Sequence, residues 1–261
     1  MMRGYFDGPW GQVHFRRFGA GVPTLLLHQS PLSSAQFDAA MPYLGEGGLD
    51  CVAIDLPGMG MSDPVQSGAD LDDFTSIISP ALDYFGWKSA HIVGHHTGAS
   101  LAARFAAHYP ARVHRLILNG VALLSQDERD FFATFNFGPT QIAEDGSHLV
   151  AAWAARLKAT PDWTDLAAMH RWTVEGLARG QTSWMAFPAV IGHDLAPDLM
   201  ALTMPTLFFT NKGEDLYAAT RRAHALRPDC AYSELLGGTH DIIDEQPKAW
   251  AQVVVDFLLS S

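Results

Sequence analysis

Short, almost wholly apolar runs alternate with segments of helical period through the first half of this chain. PTLLLH (23–28), CVAID (51–55), AHIVG (90–94) and RLILN (115–119) each end at turn residues, the pattern of strands buried on both faces of a parallel sheet. Between them, DFTSIISPALDYF (73–85) and GASLAARFAAHY (98–109) carry helical spacing, with Pro80 marking a kink or early break. The alternation resumes late, as strand PTLFFT (205–210), helix ATRRAHAL, strand AYSELL and helix KAWAQVVVDFLLS. Such an order commits the chain to βαβ units and an α/β, mostly parallel, doubly wound sheet.

The pattern is interrupted from Val121 to Met204, where helical segments occur without a convincing strand. HLVAAWAARLKA and DLAAMHRWTVEGLARG read as amphipathic helices, and Trp153, Trp163, Trp172 and Trp184 fall in the same stretch. A helical insert between two late strands predicts a cap (121–204) over the strand ends of a core made of 1–120 and 205–261. Ligands bind along that edge in open α/β sheets. The cap tryptophans, with Phe131, Phe132 and Phe135, are expected to wall an apolar pocket.

Length and composition agree with one such unit, since 261 residues with 48% hydrophobic and 17% charged side chains can bury a sizeable core. Seventeen Lys and Arg against 28 Asp and Glu leave a net charge of -11, which disfavours nucleic acid and anionic membrane as partners. A small-molecule substrate is the partner expected, and a homodimer is an open arrangement. The start, MMRGYFDGPWGQVHF, lacks the apolar core of a secretory signal, and Cys51 and Cys230 are the only cysteines, so a cytoplasmic location is expected.

One stretch carries the chemistry. VGHHTGAS (93–100) has the glycine spacing of G-x-S-x-G, with Gly94 and Gly98 flanking the centre, but the centre is His96. A strand that turns sharply into a helix at such a motif exposes the central side chain above the sheet in a strained backbone.

With its neighbours in order, the chain resembles the α/β-hydrolase superfamily over essentially its whole length. LLLHQSPLSS is similar to the family's strand and oxyanion loop, DLPGMGMSD to its D-x-x-G-x-G-x-S loop, FFTNKGEDLY to the acid-bearing loop, and GGTHDIIDEQP to the loop of the catalytic histidine. The resemblance implies His240 as general base and an acid from the loop holding Glu214 and Asp215. Asp215 is preferred, with Glu214 the alternative and the unused carboxylate solvated. His95 is a packed residue behind the site on this reading, since a histidine before the serine is common in the family. It also implies an oxyanion pair, assigned to the Gln29 and Thr97 N–H groups, with His28 and Ser30 beside them. HQSPLSS is also similar to a haloalkane dehalogenase segment, but that group's elbow aspartate and its tryptophan neighbour are His96 and Thr97 here, which disfavours dehalogenation.

Four chemistries are open to an imidazole at the elbow. His96 as nucleophile would form an acyl-imidazole, though its ring reaches higher than a serine hydroxyl. His96 and His240 as an acid–base pair divide the roles, because coupling separates the apparent pKa values of two imidazoles. A divalent metal on these histidines lacks any local spacing signature, and a pure binding pocket has no need of a proton relay. The preferred reading is a hydrolase, free of cofactor and metal, acting on a small, apolar ester, lactone or diketone through His96, His240 and Asp215. A cofactor-independent lyase, decarboxylase or isomerase and a non-catalytic binding protein are the alternatives.

Overall fold

The computed structural model describes residues 1–135, 137–160 and 163–260. The chain opens with a hairpin, β1 (Met2–Gly8) and β2 (Gly11–Gly19), paired antiparallel. β1 escapes an apolar-run reading because its burial alternates, with Phe6 facing the core while Arg3, Tyr5 and Asp7 stay at the surface, and β2 because only Val13, His14 and Phe15 are buried among polar residues. The chain continues through β3 (Val22–Leu27), α1 (Met41–Glu46) and β4 (Leu49–Ile54).

The helix expected over 73–85 is two helices, α2 (Leu71–Thr75) and α3 (Ile78–Tyr84). The break at Ser76–Ile77 puts Pro80 in the first turn of α3, where its missing N–H leaves no intrahelical bond unmade. Asp70 starts α2 by accepting from the Asp72 and Asp73 N–H groups, with Asp73 returning the bond as a capping box.

There follow β5 (Ala90–His95), α4 (Thr97–His108) and β6 (Val113–Asn119), then, among the described residues, five α-helices before the next strand. These are α5 (Gln126–Ala133), α6 (Ser147–Ala159), α7 (Leu166–Ala178), α8 (Ala186–Gly192) and α9 (Ala196–Ala201). The chain closes with β7 (Thr206–Asn211), α10 (Tyr217–Leu226), β8 (Ala231–Leu235), α11 (Ile242–Glu245) and α12 (Pro247–Leu258). The eight strands form one sheet in the order β1-β2-β4-β3-β5-β6-β7-β8, antiparallel only at β1–β2 and β2–β4.

Side-chain alternation along the buried strands feeds two apolar layers. Leu25, Leu27, Ile92 and Leu118 pack with α3 and α4, whereas Leu26, Val93, Ile117 and Phe209 pack with α1 and α12 around Trp250. Each such fully buried side chain stabilises the fold by about 1.5–3 kcal/mol. Leu195, Leu199 and Leu202 belong to the first layer, so the end of the helical segment packs on the core. Helix α6, in contrast, buries no residue completely. It does not show the buried apolar face its spacing suggests, and Leu149 and Val150 lie exposed.

Candidate active site

The loops after β3, β5, β7 and β8 converge at the carboxyl ends of the parallel strands, and they carry the residues nominated from the sequence. The turn between β5 and α4 is as sharp as its glycines require. His96 has φ 50 and ψ -108, the only positive φ outside glycine among the described residues. Such a conformation costs about 1–3 kcal/mol and persists because its surroundings impose it. The His96 N–H donates to the Asn119 carbonyl at 2.8 Å, and the Gly98 N–H to the His28 carbonyl at 3.1 Å. A Cβ on Gly94 would lie 2.2 Å from the Gly98 oxygen, and one on Gly98 would lie 2.1 Å from the Leu27 oxygen.

The elbow imidazole has a carboxylate of its own. His96 Nε2 lies 2.6 Å from Glu214 Oε2, and the other Glu214 oxygen accepts from the Thr210 hydroxyl. A carboxylate only accepts, so His96 donates through Nε2 and keeps Nδ1 as its basic nitrogen. The Glu214 side chain is 0% exposed. This corrects the expectation that the carboxylate other than Asp215 would be solvated: Asp215 is the exposed one, at 72%. Room for the His96 ring comes from Gly120 (φ +70), where a Cβ would meet His96 Cδ2 at 2.2 Å and Glu214 Oε2 at 2.8 Å.

His240 pairs separately. Its Nδ1 lies 3.3 Å from Asp215 Oδ2, while its Nε2 lies 3.4 Å from Asp241 Oδ2 and 3.3 Å from Arg156 Nη1. Burial works against the charged ring, but the bond to Asp215 and the charge of Asp241 overcome it and raise the His240 pKa above its ordinary value. The same bond holds the Asp215 carboxyl below its usual range. The His96 and His240 rings are 6.5 Å apart between centroids, and no hydrogen bond joins them. His95 lies behind both, wholly buried, with Nε2–H donating to the His240 carbonyl at 2.9 Å. Burial holds it neutral, far below the ordinary histidine range.

The oxyanion assignment changes with the structure. The Gln29 N–H is spent on Gln36 Oε1 at 3.1 Å, and the Gln29 amide donates to buried Asp241 at 3.1 Å, away from the pocket. Ser30 is the loop residue at the cavity, its N–H reaching Thr97 Oγ1 at 3.2 Å. The Thr97 N–H opens α4 and meets no acceptor among the described residues. Of the nominated pair only the Thr97 N–H stays free, and the Ser30 N–H beside it is engaged by Thr97 Oγ1. His28 does not face the pocket, because Nε2 accepts from the Leu56 N–H and Nδ1 donates to the Gln29 carbonyl, each at 2.8 Å. Burial keeps that ring neutral.

The cavity above the elbow has a volume of about 140 Å³. Ser30, His96, Thr97 and Asp215 are its polar residues, set against Ala122, Leu124, Phe132, Phe187, Val190, Ile191 and Leu216. Of the aromatics expected to wall it, only Phe132 does so. Trp172 is buried against the core, with Nε1 donating to Asp244 at 2.6 Å, and Phe131 and Phe135 are exposed. A larger groove of about 580 Å³, between residues 67–72 and α8, is lined by Trp184 but includes none of the nominated catalytic or oxyanion residues. Among the described residues no group of three or more His, Cys, Asp or Glu is placed to share a metal ion, and no helix is long and apolar enough to cross a membrane. Sequence reasoning missed Arg156 and Asp241. Asp241 adjoins His240, but nothing in a helical period marks that the single arginine of α6 turns inward.

A mostly parallel sheet with a strained turn after its central strand and a histidine loop near its end defines an α/β-hydrolase type of protein. The chain belongs to that family, described as alpha/beta hydrolase fold, whose profile matches residues 23–247. It is 26% identical over 255 residues to a 2-(acetamidomethylene)succinate hydrolase of Mesorhizobium japonicum, covering 94% of this chain and 91% of that protein. It is 36% identical over 114 residues to a 2-hydroxy-6-oxononadienedioate/2-hydroxy-6-oxononatrienedioate hydrolase of Paraburkholderia phymatum, and that match spans 42% of this chain and 40% of the relative. The crystal structure of E-2-(acetamidomethylene)succinate hydrolase superposes with a TM-score of 0.80 at 24% identity over 98% of both chains. Epoxide hydrolase A from Mycobacterium thermoresistibile does so with a TM-score of 0.80 at 19% identity over 99% of this chain and 98% of that one, a likeness of fold.

Proposed function

We propose that this protein is a hydrolase of small, uncharged, largely apolar carbonyl compounds (esters, lactones or diketones) that works by acid–base chemistry at two histidines, with the segment 121–204 as its cap. The observation that carries this reading is the His96–Glu214 pair. In a serine-type relay the loop acid serves the C-terminal histidine, which serves the elbow. Here the elbow residue holds a buried carboxylate directly and His240 holds another, so each imidazole is a complete dyad.

His96 acts as base through Nδ1. That nitrogen adjoins the ring carbon bearing Cβ, so an acyl group on it is crowded, whereas a water reaches it easily. The activated water attacks the substrate carbonyl, Glu214 stabilises the imidazolium left on His96, and the Thr97 N–H receives the developing oxyanion. His240, linked to the cavity wall through Asp215, is assigned the proton that the departing oxygen or carbanion takes up. Each proton transfer of this type contributes about 10²–10⁴-fold. The two named hydrolase relatives have dicarboxylates in their names. Among the described residues the cavity lining holds no lysine or arginine for a second carboxylate, and Asp215 at its wall would repel one.

A panel of esters, lactones and β-diketones, assayed with the native protein, His96→Ala and His96→Ser, tests the proposal. Turnover of at least one class, lost in His96→Ala, is expected, as is failure of a fluorophosphonate to label the native protein. No turnover anywhere, or full activity in His96→Ala, ends the reading.

A further inference from the structure

Arg156 is the one side chain of α6 that reaches the two-histidine site. Its Nη2 donates to Asp241 Oδ2, and its Nη1 lies 3.3 Å from His240 Nε2. The rest of α6 is loosely held, with no fully buried residue. Asp241 is itself 0% exposed and receives the Gln29 amide on its other oxygen, so the node joins the oxyanion loop, the histidine loop and the helical segment.

We infer that Arg156 is a positioning residue that keeps the His240 proton transferable, by supplying the counter-charge that stops two carboxylates from locking the ring as a cation. The inference rests on the reading of His240 as a proton donor. Donor counting carries it. When Nε2 is bare, it accepts from Arg156 Nη1, while Nδ1–H goes to Asp215. When Nε2 is protonated, the two donors oppose each other, and the new N–H has only Asp241 Oδ2, which Arg156 already occupies. Arg156 therefore favours the neutral ring, as Asp215 and Asp241 favour the charged one. The other titratable groups around the ring are His96 across 6.5 Å and neutral His95 at its carbonyl. Asp244, near Asp241, is held by Arg171 and Trp172. Withdrawal of α6 removes the only cation in contact with His240 among the described residues, so docking of this helix and readiness of the acid are one event.

The test follows the His240 ring resonances by NMR against pH in the full chain, which needs no substrate and so stands apart from the assay of activity. Arg156→Met is expected to move the His240 midpoint up by about one pH unit, a tenfold gain in proton affinity. Arg156→Lys should return most of that shift, and Asp241→Asn should move the midpoint down. On any substrate the native protein turns over, the pH–rate profile should move with the midpoint. A His240 midpoint that stays in place in Arg156→Met, or in the Arg156→Met/Asp241→Asn pair relative to Asp241→Asn should Arg156→Met not fold, overturns the inference.

Discussion

His96 donates its Nε2 proton to Glu214 across 2.6 Å, and the Thr210 hydroxyl fills the other carboxylate oxygen. The loop carboxylate thus contacts the elbow imidazole directly. Glu214→Gln keeps the shape and one acceptor but loses the charge that stabilises an imidazolium. We expect kcat to fall about 10²–10⁴-fold with little change in KM. Asp215→Asn, at a solvent-exposed carboxylate, should cost less. Steady-state kinetics of both variants decide the matter, and a Glu214→Gln enzyme within threefold of native removes catalytic weight from the pair.

Gly120 is the residue that lets a histidine occupy the elbow, since its Cβ would overlap the ring edge at 2.2 Å. Gly120→Ala should destabilise the fold by about 1–3 kcal/mol through strain and overpacking. In a His96→Ala background most of the steric part should vanish. A urea-denaturation cycle of the four proteins should show a coupling of about 1 kcal/mol or more. Additive costs would mean that the ring and Gly120 do not compete for the same space.

The raised His240 pKa carries a stability signature. Burial opposes the charge, yet the Asp215 bond and the Asp241 charge outweigh it. A histidine that binds its proton more tightly when folded contributes stability in full below its unfolded value of about 6.5. That contribution fades as pH rises through the higher folded value. Tm should therefore decline as pH rises above about 6.5 in the native protein, and His240→Gln should flatten that decline. Asp215, held low by the same bond, contributes above about 3.8 and loses its contribution as pH falls through its depressed folded value.

The inner parallel strands were legible because β4, β5 and β7 are buried on both faces and so are largely apolar. The hairpin of β1 and β2 was not, because polar and charged residues surround Phe6, Val13 and Phe15 along its strands. Residue types at the site were readable from motif spacing, but pairings were not. Glu214 and Asp215 are neighbours in sequence, and only the turn after β7 decides which one points inward to the elbow. Gln29 illustrates the same limit. Its backbone N–H and side chain both face away from the cavity toward partners, Gln36 and Asp241, that no local pattern announces.

Ala122 offers the most direct probe of what the cavity admits. It lines the space of about 140 Å³ above His96 and Thr97, opposite Phe132 and Val190. Leucine at this position removes volume without touching a polar group, so binding of the larger acyl chains should suffer while the machinery stays intact. One methylene in an apolar pocket is worth about 10–200-fold in discrimination. Ala122→Leu should therefore raise KM for butyryl-sized and larger esters by about tenfold or more, while acetyl esters keep their kcat. The measurement is a chain-length series of p-nitrophenyl esters with both proteins, alongside Val190→Ala, which should extend the preferred length. If every chain length fell by the same factor in Ala122→Leu, the substituted residue would be disturbing the elbow, and the acyl group would be bound elsewhere.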